Sequence, residues 1–152
     1  LFKLYPWEWM FHEAFGEHLT RAPTRWLEPP WKAILSNKAL LVVLWELFPG
    51  NPHLLETRLE PFGTSFVQKP LLGREGANIA LVSDGEITAR TGGPYGHQPS
   101  VYQQLCPLPV MDGRHMLAGS WMVNGHACGM GIREDAGPIT GNTSRFVPHW
   151  MG

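Results

Sequence analysis

The chain has 152 residues, with 12 Lys and Arg against 13 Asp and Glu and a formal net charge of -1. This near-neutrality excludes a broad electrostatic grip on nucleic acid or on an anionic membrane, so an anionic ligand has to be met by a local group of cations. One domain of this length buries roughly two thirds of the surface its unfolded form exposes, enough for a core without staples. The two cysteines, Cys106 and Cys128, make no disulfide framework and are expected as buried thiols in a reducing compartment, the cytoplasm.

The start LFKLYPWEWM has none of the basic, apolar and small-residue order of a signal peptide. It lacks an initiator methionine, and the chain is expected to be a piece of something longer. Seven tryptophans support that expectation, because such large side chains bury most of their area against a neighbour. Trp7, Met10, Phe11, Ala14, Phe15 and Leu19 fall at helical spacing and predict one amphipathic helix over residues 7–19. RAPTRWLEPPWKAIL, with Pro23, Pro29 and Pro30, predicts an extended connector. ALLVVLWELF, residues 39–48, is interrupted by Glu46 and is far shorter than the roughly 20 residues of a membrane span. It reads as a core helix, capped by Ser36 and Asn37 and stopped by PGNPH. Trp31, Trp45 and Trp121 are expected in the core.

Beyond residue 60 the pattern changes to short β-like runs at 64–69, 78–83, 86–90, 100–105, 116–123 and 126–133. Asp84-Gly85, Asp112-Gly113 and Asn124-Gly125 are dipeptides that close hairpins. A helical first third before an antiparallel remainder, with no βαβ rhythm and no internal repeat, predicts an α+β fold. TGGPYGHQPS, residues 91–100, is expected as a mobile loop.

Within this region FVQKPLLGREGANIAL, residues 66–81, sets a lysine on a strand and a charged glycine loop straight after it. Glycine lets backbone approach a ligand closely and leaves N–H groups free to point at phosphate oxygens, and the lysine adds a point charge. The stretch is neither a Walker loop nor a GxGxxG turn, and GREG by spacing alone reads first as an ordinary surface hairpin.

Read together and in this order, LYPWEWMFHEAFG, EPPWKAILSNKALLVVLWELFPGNPHLL, VQKPLLGREGANI, VYQQLCPLP and GMGIRED resemble the C-terminal half of the glutathionylspermidine synthase family of ATP-grasp ligases. The resemblance covers nearly all of the chain. It implies an ATP-grasp-like portion of a larger fold, mainly helical over 1–50, with strands and the phosphate loop over 61–105 and a second antiparallel portion over 106–152. It implies a cytoplasmic enzyme that phosphorylates a carboxylate with ATP and lets an amine attack the acyl phosphate. Lys38 and Lys69 match the two lysines that contact the phosphates. Gly73, Arg74, Glu75, Gly76, Ala77 and Asn78 match the phosphate-covering loop, and Gln103, Gln104, Leu105 and Cys106 match the segment that receives adenine. Arg133 matches an arginine near the reacting phosphate, where a planar guanidinium suits an oxyanion. Catalytic roles therefore fall on Lys69 and Arg133.

The implied partners are ATP, a small peptide or other carboxylate, an amine and the missing N-terminal half, with no nucleic acid and no membrane. Bifunctional relatives carry cysteine where this chain has Glu75, and REGAN looks instead like the stand-alone bacterial homologues. The family's magnesium-binding carboxylates lie upstream of the matched region. Glu134 and Asp135 could ligate the metal through hard oxygens but read as a solvated turn. The seven histidines show no zinc spacing, and no amidase motif surrounds Cys106 or Cys128. The alternative to the ligase is a nucleotide- or peptide-binding module of the same fold that performs no chemistry.

Overall fold

The computed structural model describes residues 1–150. In chain order it contains α1 (Trp7–His12), α2 (Ala33–Ser36) and α3 (Ala39–Leu47), then β1 (Thr57–Arg58), β2 (Phe66–Pro70), β3 (Ala80–Ser83), β4 (Glu86–Arg90) and β5 (Ser100–Gln104). These are followed by β6 (Val110–Met111), β7 (Arg114–Val123), β8 (His126–Asp135) and β9 (Arg145–Val147). The strands form two antiparallel sheets, one of five strands in the order β1-β5-β2-β3-β4 and one of four in the order β6-β7-β8-β9. The result is a small α+β domain, and no described helix is long and apolar enough to cross a membrane.

Turn chemistry explains the hairpins. Asp84 and Gly85 have φ of 52° and 83°, Asp112 and Gly113 49° and 73°, and Asn124 and Gly125 48° and 78°. Two successive positive φ values make the tight turn whose twist matches paired strands, and Asp-Gly and Asn-Gly take it at least cost.

The helical third departs from the expected pattern. The helix over residues 7–19 breaks at Glu13, which is extended, and resumes as a 3-10 turn, Ala14–His18. The first helix is anchored by buried Trp7 and Met10, and Trp7 meets Trp26 edge to face at 5.1 Å. The connector after it is not wholly extended, because Pro30–Lys32 turns into α2. Of the two expected capping residues, Asn37 accepts the N–H of Ala39 on its Oδ1 at 2.9 Å, while Ser36 is the last residue of α2. The helix α3 is not buried, however: none of its residues is fully enclosed, and Val43 and Leu47 face solvent.

The core lies instead in the five-stranded sheet, at Val67, Val82 and Val101. Trp31, in the Pro30–Lys32 turn, and Trp121 are 60% and 66% exposed rather than packed; Trp121 stands on the outer half of the β7–β8 hairpin, which is exposed on both faces. Both cysteines are exposed as well, against the expectation of buried thiols.

Candidate functional site

The alternation of β2 puts Val67 and Lys69 on one face of the five-stranded sheet, and pairing sets them opposite Gln103 and Val101 of β5. Together with Ile79 and Leu81 this face forms one wall of a cleft of about 490 Å³. His115 and Leu117 of β7 and residues 138–140 form the other wall, and residues 105–108, which cross from one sheet to the other, close its end. The walls are largely apolar, with Lys69 the one lysine among them.

Lys69 is held by a chain of matched groups. Its Nζ donates to Gln103 Oε1 at 2.6 Å, Gln103 Nε2 donates to Thr57 Oγ1 at 3.1 Å, and the Thr57 hydroxyl donates to the carbonyl of Leu55 at 2.9 Å. Thr57 and Gln103 are 1% and 7% exposed, so the relay lies inside the fold and fixes where the ammonium sits. Burial lowers the Lys69 pKa, and the charge of Lys38 lowers it further.

Lys38 stands just before α3. Its N–H donates to the carbonyl of Leu71 at 2.9 Å and its Nζ donates to the carbonyl of Gly73, tying α3 to the mouth of the glycine loop. Its pKa is lowered by burial first and by Arg74 second, with Glu8 opposing both. Arg74 turns toward α1, where Nε donates to Glu8 Oε1 at 2.9 Å and Nη2 donates to the same oxygen. Lys69, Lys38 and Arg74 thus make a run of three coupled cations, with one buried carboxylate at its end.

The loop itself has an ordered backbone. Glu75, Gly76 and Asn78 have φ of 54°, 73° and 54°. Gly76 has no alternative, because a Cβ there would lie 2.5 Å from the carbonyl oxygen of Thr140. Ala77 N–H bonds back to Arg74, Asn78 N–H donates to the carbonyl of Gly92 at 3.1 Å, and Asn78 Oδ1 accepts the Tyr95 N–H at 2.8 Å. Among the described residues the N–H groups of Arg74, Glu75 and Gly76 find no backbone partner, which leaves donors for an anion.

The fold therefore brings together Lys38, Lys69 and the 73–78 loop, and sets Leu105 and Cys106 in the cleft that Lys69 enters. Gln103 serves the lysine rather than the cleft wall. Gln104 is exposed, with its N–H on the carbonyl of Glu56 at 2.8 Å. Arg133 on β8 pairs with Leu117 and Phe146 and so shares the sheet face that borders the cleft. Its guanidinium lies over the Phe146 ring at 5.8 Å, in a separate depression with Trp121 and Gly131.

Glu134 and Asp135 are not a solvated turn: both belong to β8. Glu134 forms an ion pair with Arg114 at 2.9 Å and accepts a hydrogen bond from Arg145, while Asp135 Oδ2 accepts the Ser144 hydroxyl at 2.5 Å. Among the described residues no group of three or more His, Cys, Asp or Glu is placed to hold a metal ion, so no chemical step is assigned to magnesium on this chain. Sequence reading missed Glu8, Thr57 and residues 138–140. The only local signal for Glu8 is its place between two tryptophans, Trp7 and Trp9, since helical spacing sets it off the apolar face.

The sequence model described as "Glutathionylspermidine synthase preATP-grasp" matches residues 1–152. The chain belongs to the glutathionylspermidine synthase family. It is 48% identical over 162 residues to the Haemophilus influenzae protein named "Putative acid--amine ligase", covering 99% of this chain and 41% of that protein. Trypanothione synthetase of Crithidia fasciculata is 36% identical over 127 residues, covering 80% of this chain and 20% of that protein. The bifunctional glutathionylspermidine synthetase/amidase of Escherichia coli is 37% identical over 126 residues, with the same two shares. The chain thus spans less than half the length of these relatives, all of which are named as ligases or synthetases.

Proposed function

We propose that this chain is the C-terminal portion of an ATP-grasp domain in a cytoplasmic, ATP-dependent ligase that joins a carboxylate to an amine. The observation that carries the reading is Lys69: an ammonium held by Gln103 inside an apolar cleft, with two further cations and a glycine loop beside it. A partly desolvated charge of fixed position suits a triphosphate better than a solvated one, because it needs no reorganisation when the phosphoryl group moves. The adenine lies between the β2–β3 face and Leu117, with the backbone of Leu105 and Cys106 reading its edge. Lys69 and Lys38 hold the phosphates, and the 73–78 loop covers them.

The carboxylate oxygen attacks the terminal phosphorus and ADP leaves; the neutral amine nitrogen then attacks the acyl carbon, and phosphate leaves carrying the proton that the nitrogen loses. Magnesium ligands and the rest of the peptide-carboxylate site are assigned to the part of the relatives' length beyond this chain. The exposed apolar hairpin, with Trp121, Met122 and Val123, faces that part. Arg133 enters the site only when its side chain leaves Phe146. The alternative, a binding module without chemistry, predicts nucleotide binding and no turnover.

A coupled assay on the complete protein, over a panel of carboxylates, small peptides and amines, tests the reading. ADP and phosphate are expected only when both co-substrates are present. Release of AMP and pyrophosphate would exclude the acyl-phosphate route, and binding without turnover on every pair would favour the module.

A further inference from the structure

The most unusual group in the site is not a cation but Glu8, which sits on α1, is 5% exposed and reaches across 66 positions of sequence to Arg74. The contact is one-sided. Both Arg74 nitrogens converge on Oε1, while Oε2 is buried without a partner. A guanidinium and a carboxylate at their best align two parallel bonds on two oxygens, so this pair leaves the arginine's fork only half used. The arginine side chain is 42% exposed and can leave without stranding its charge, whereas Glu8 cannot follow it. Phosphate oxygens over the 73–78 loop would offer Arg74 the two-pronged partner that Glu8 does not.

We infer that Glu8 is a positioning residue: it holds Arg74 against α1 while the phosphate site is empty and yields it to the polyphosphate part of an incoming nucleotide. This rests on the proposed nucleotide reading of the cleft and adds to it a residue outside the 73–78 loop. Glu8 also supplies the counter-charge that keeps Lys38 and Arg74 together before the ligand arrives. Exchange of one anion for another at Arg74 then couples α1 to closure of the loop.

The test uses the intact protein with isotope-labelled arginine side chains and inorganic tripolyphosphate as the probe, beside Glu8→Gln, Arg74→Lys and the double variant. In the wild type the Arg74 Nε–H should exchange slowly and shift when tripolyphosphate binds. In Glu8→Gln it should exchange fast before any ligand is added, and tripolyphosphate should bind about three- to tenfold more tightly, the scale of a charge-assisted bond discounted for exposure. That gain should vanish when Arg74→Lys is already present, since lysine cannot fork.

A gain that persists in the Arg74→Lys background would show a mere field effect of the lost carboxylate and overturn the inference. So would probe binding that perturbs Lys38 and Lys69 and leaves Arg74 unmoved; either result spares the nucleotide reading. Failure of the probe to touch any of the three cations would overturn both. Thermal unfolding of Glu8→Gln checks that the α1 region stays folded, and rescue of slow Nε–H exchange by Glu8→Asp would separate charge from packing.

Discussion

Lys69→Met separates what the buried lysine does for the fold from what it does for a ligand. Met keeps the length and apolar stem of lysine while removing the charge. The loss in stability is the bond to Gln103 at 2.6 Å together with the stranding of Gln103 Oε1, a cost of about 1–3 kcal/mol. Against it stands the relief of no longer burying an ammonium, since apolar replacement of buried charge is commonly neutral or stabilising by about 1–4 kcal/mol. The two nearly cancel, and the variant should stay within about 2 kcal/mol of wild type, a Tm change below about 8 °C for a domain of this size. Nucleotide affinity should fall roughly ten- to hundredfold, the equivalent of one charge-assisted bond.

The pH dependence provides a second readout of the same variant. The folded-state pKa of Lys69 lies below its ordinary value of 10.5, through burial first and Lys38 second. The folded protein therefore holds its proton less tightly than the unfolded chain does, and folding carries the full penalty at neutral pH. That penalty disappears as pH rises from the lowered folded value toward 10.5. Wild type should gain stability over this window relative to Lys69→Met, measured by urea unfolding at a series of pH values. A loss above about 4 kcal/mol with nucleotide affinity intact would show that Lys69 is structural, and the phosphate assignment would fall with it.

Arg74→Ala should destabilise the chain by about 1–2 kcal/mol, the cost of leaving the buried Glu8 carboxylate without its partner discounted because Arg74 is itself part-exposed, whereas Glu8→Gln should cost clearly less, since Arg74 relaxes into water; chemical denaturation of both variants decides this order. Gly76→Ala combines a left-handed φ, worth about 1–2 kcal/mol, with an approach to the Thr140 carbonyl that cannot be met without moving the loop. It should lower Tm and accelerate amide exchange over residues 73–78, and unchanged exchange there would mean that the loop does not rest on residues 138–140. Asp135 has its pKa lowered first by the Ser144 hydroxyl and next by the Gly137 N–H. Its contribution is present above the ordinary 3.8 and lost as pH falls through the lowered value, so Asp135→Asn should flatten the acid limb of the unfolding curve.

The antiparallel two thirds of the fold were readable because their signals are local. Period-two alternation around Val67 and Lys69, and Asp-Gly or Asn-Gly pairs that need two positive φ values, act within a few residues. The strand over 86–90 falls where the pattern puts it. The helical third was misread where the deciding forces are distant. The apolar spacing from Trp7 to Leu19 is genuine, yet Glu13 turns extended and the helix ends there. Hydrophobicity also over-predicted burial. Trp31, Trp121 and the two cysteines have the residue types of a core but lie on surfaces this chain does not cover.

The candidate site divides along the same line. Lys69, the glycine loop and the 105–106 crossing lie on one continuous stretch of strands, and family motifs name them without any knowledge of packing. What sets their electrostatics comes from elsewhere: Thr57 orders Gln103 from 46 positions away, and Glu8 claims Arg74 from 66. Neither partner has a local pattern, because a threonine on a short edge strand and a glutamate on an amphipathic helix are ordinary in those places. Their importance arises only when the fold buries them, since a hydroxyl or carboxylate shielded from water must find a donor or acceptor inside. Motifs thus nominate the groups proposed to face the ligand, and burial identifies the groups that hold them. At Arg74 the two criteria disagree, for the motif implies a phosphate contact and the packing gives one to Glu8. Such a disagreement is what a side chain with two successive partners produces.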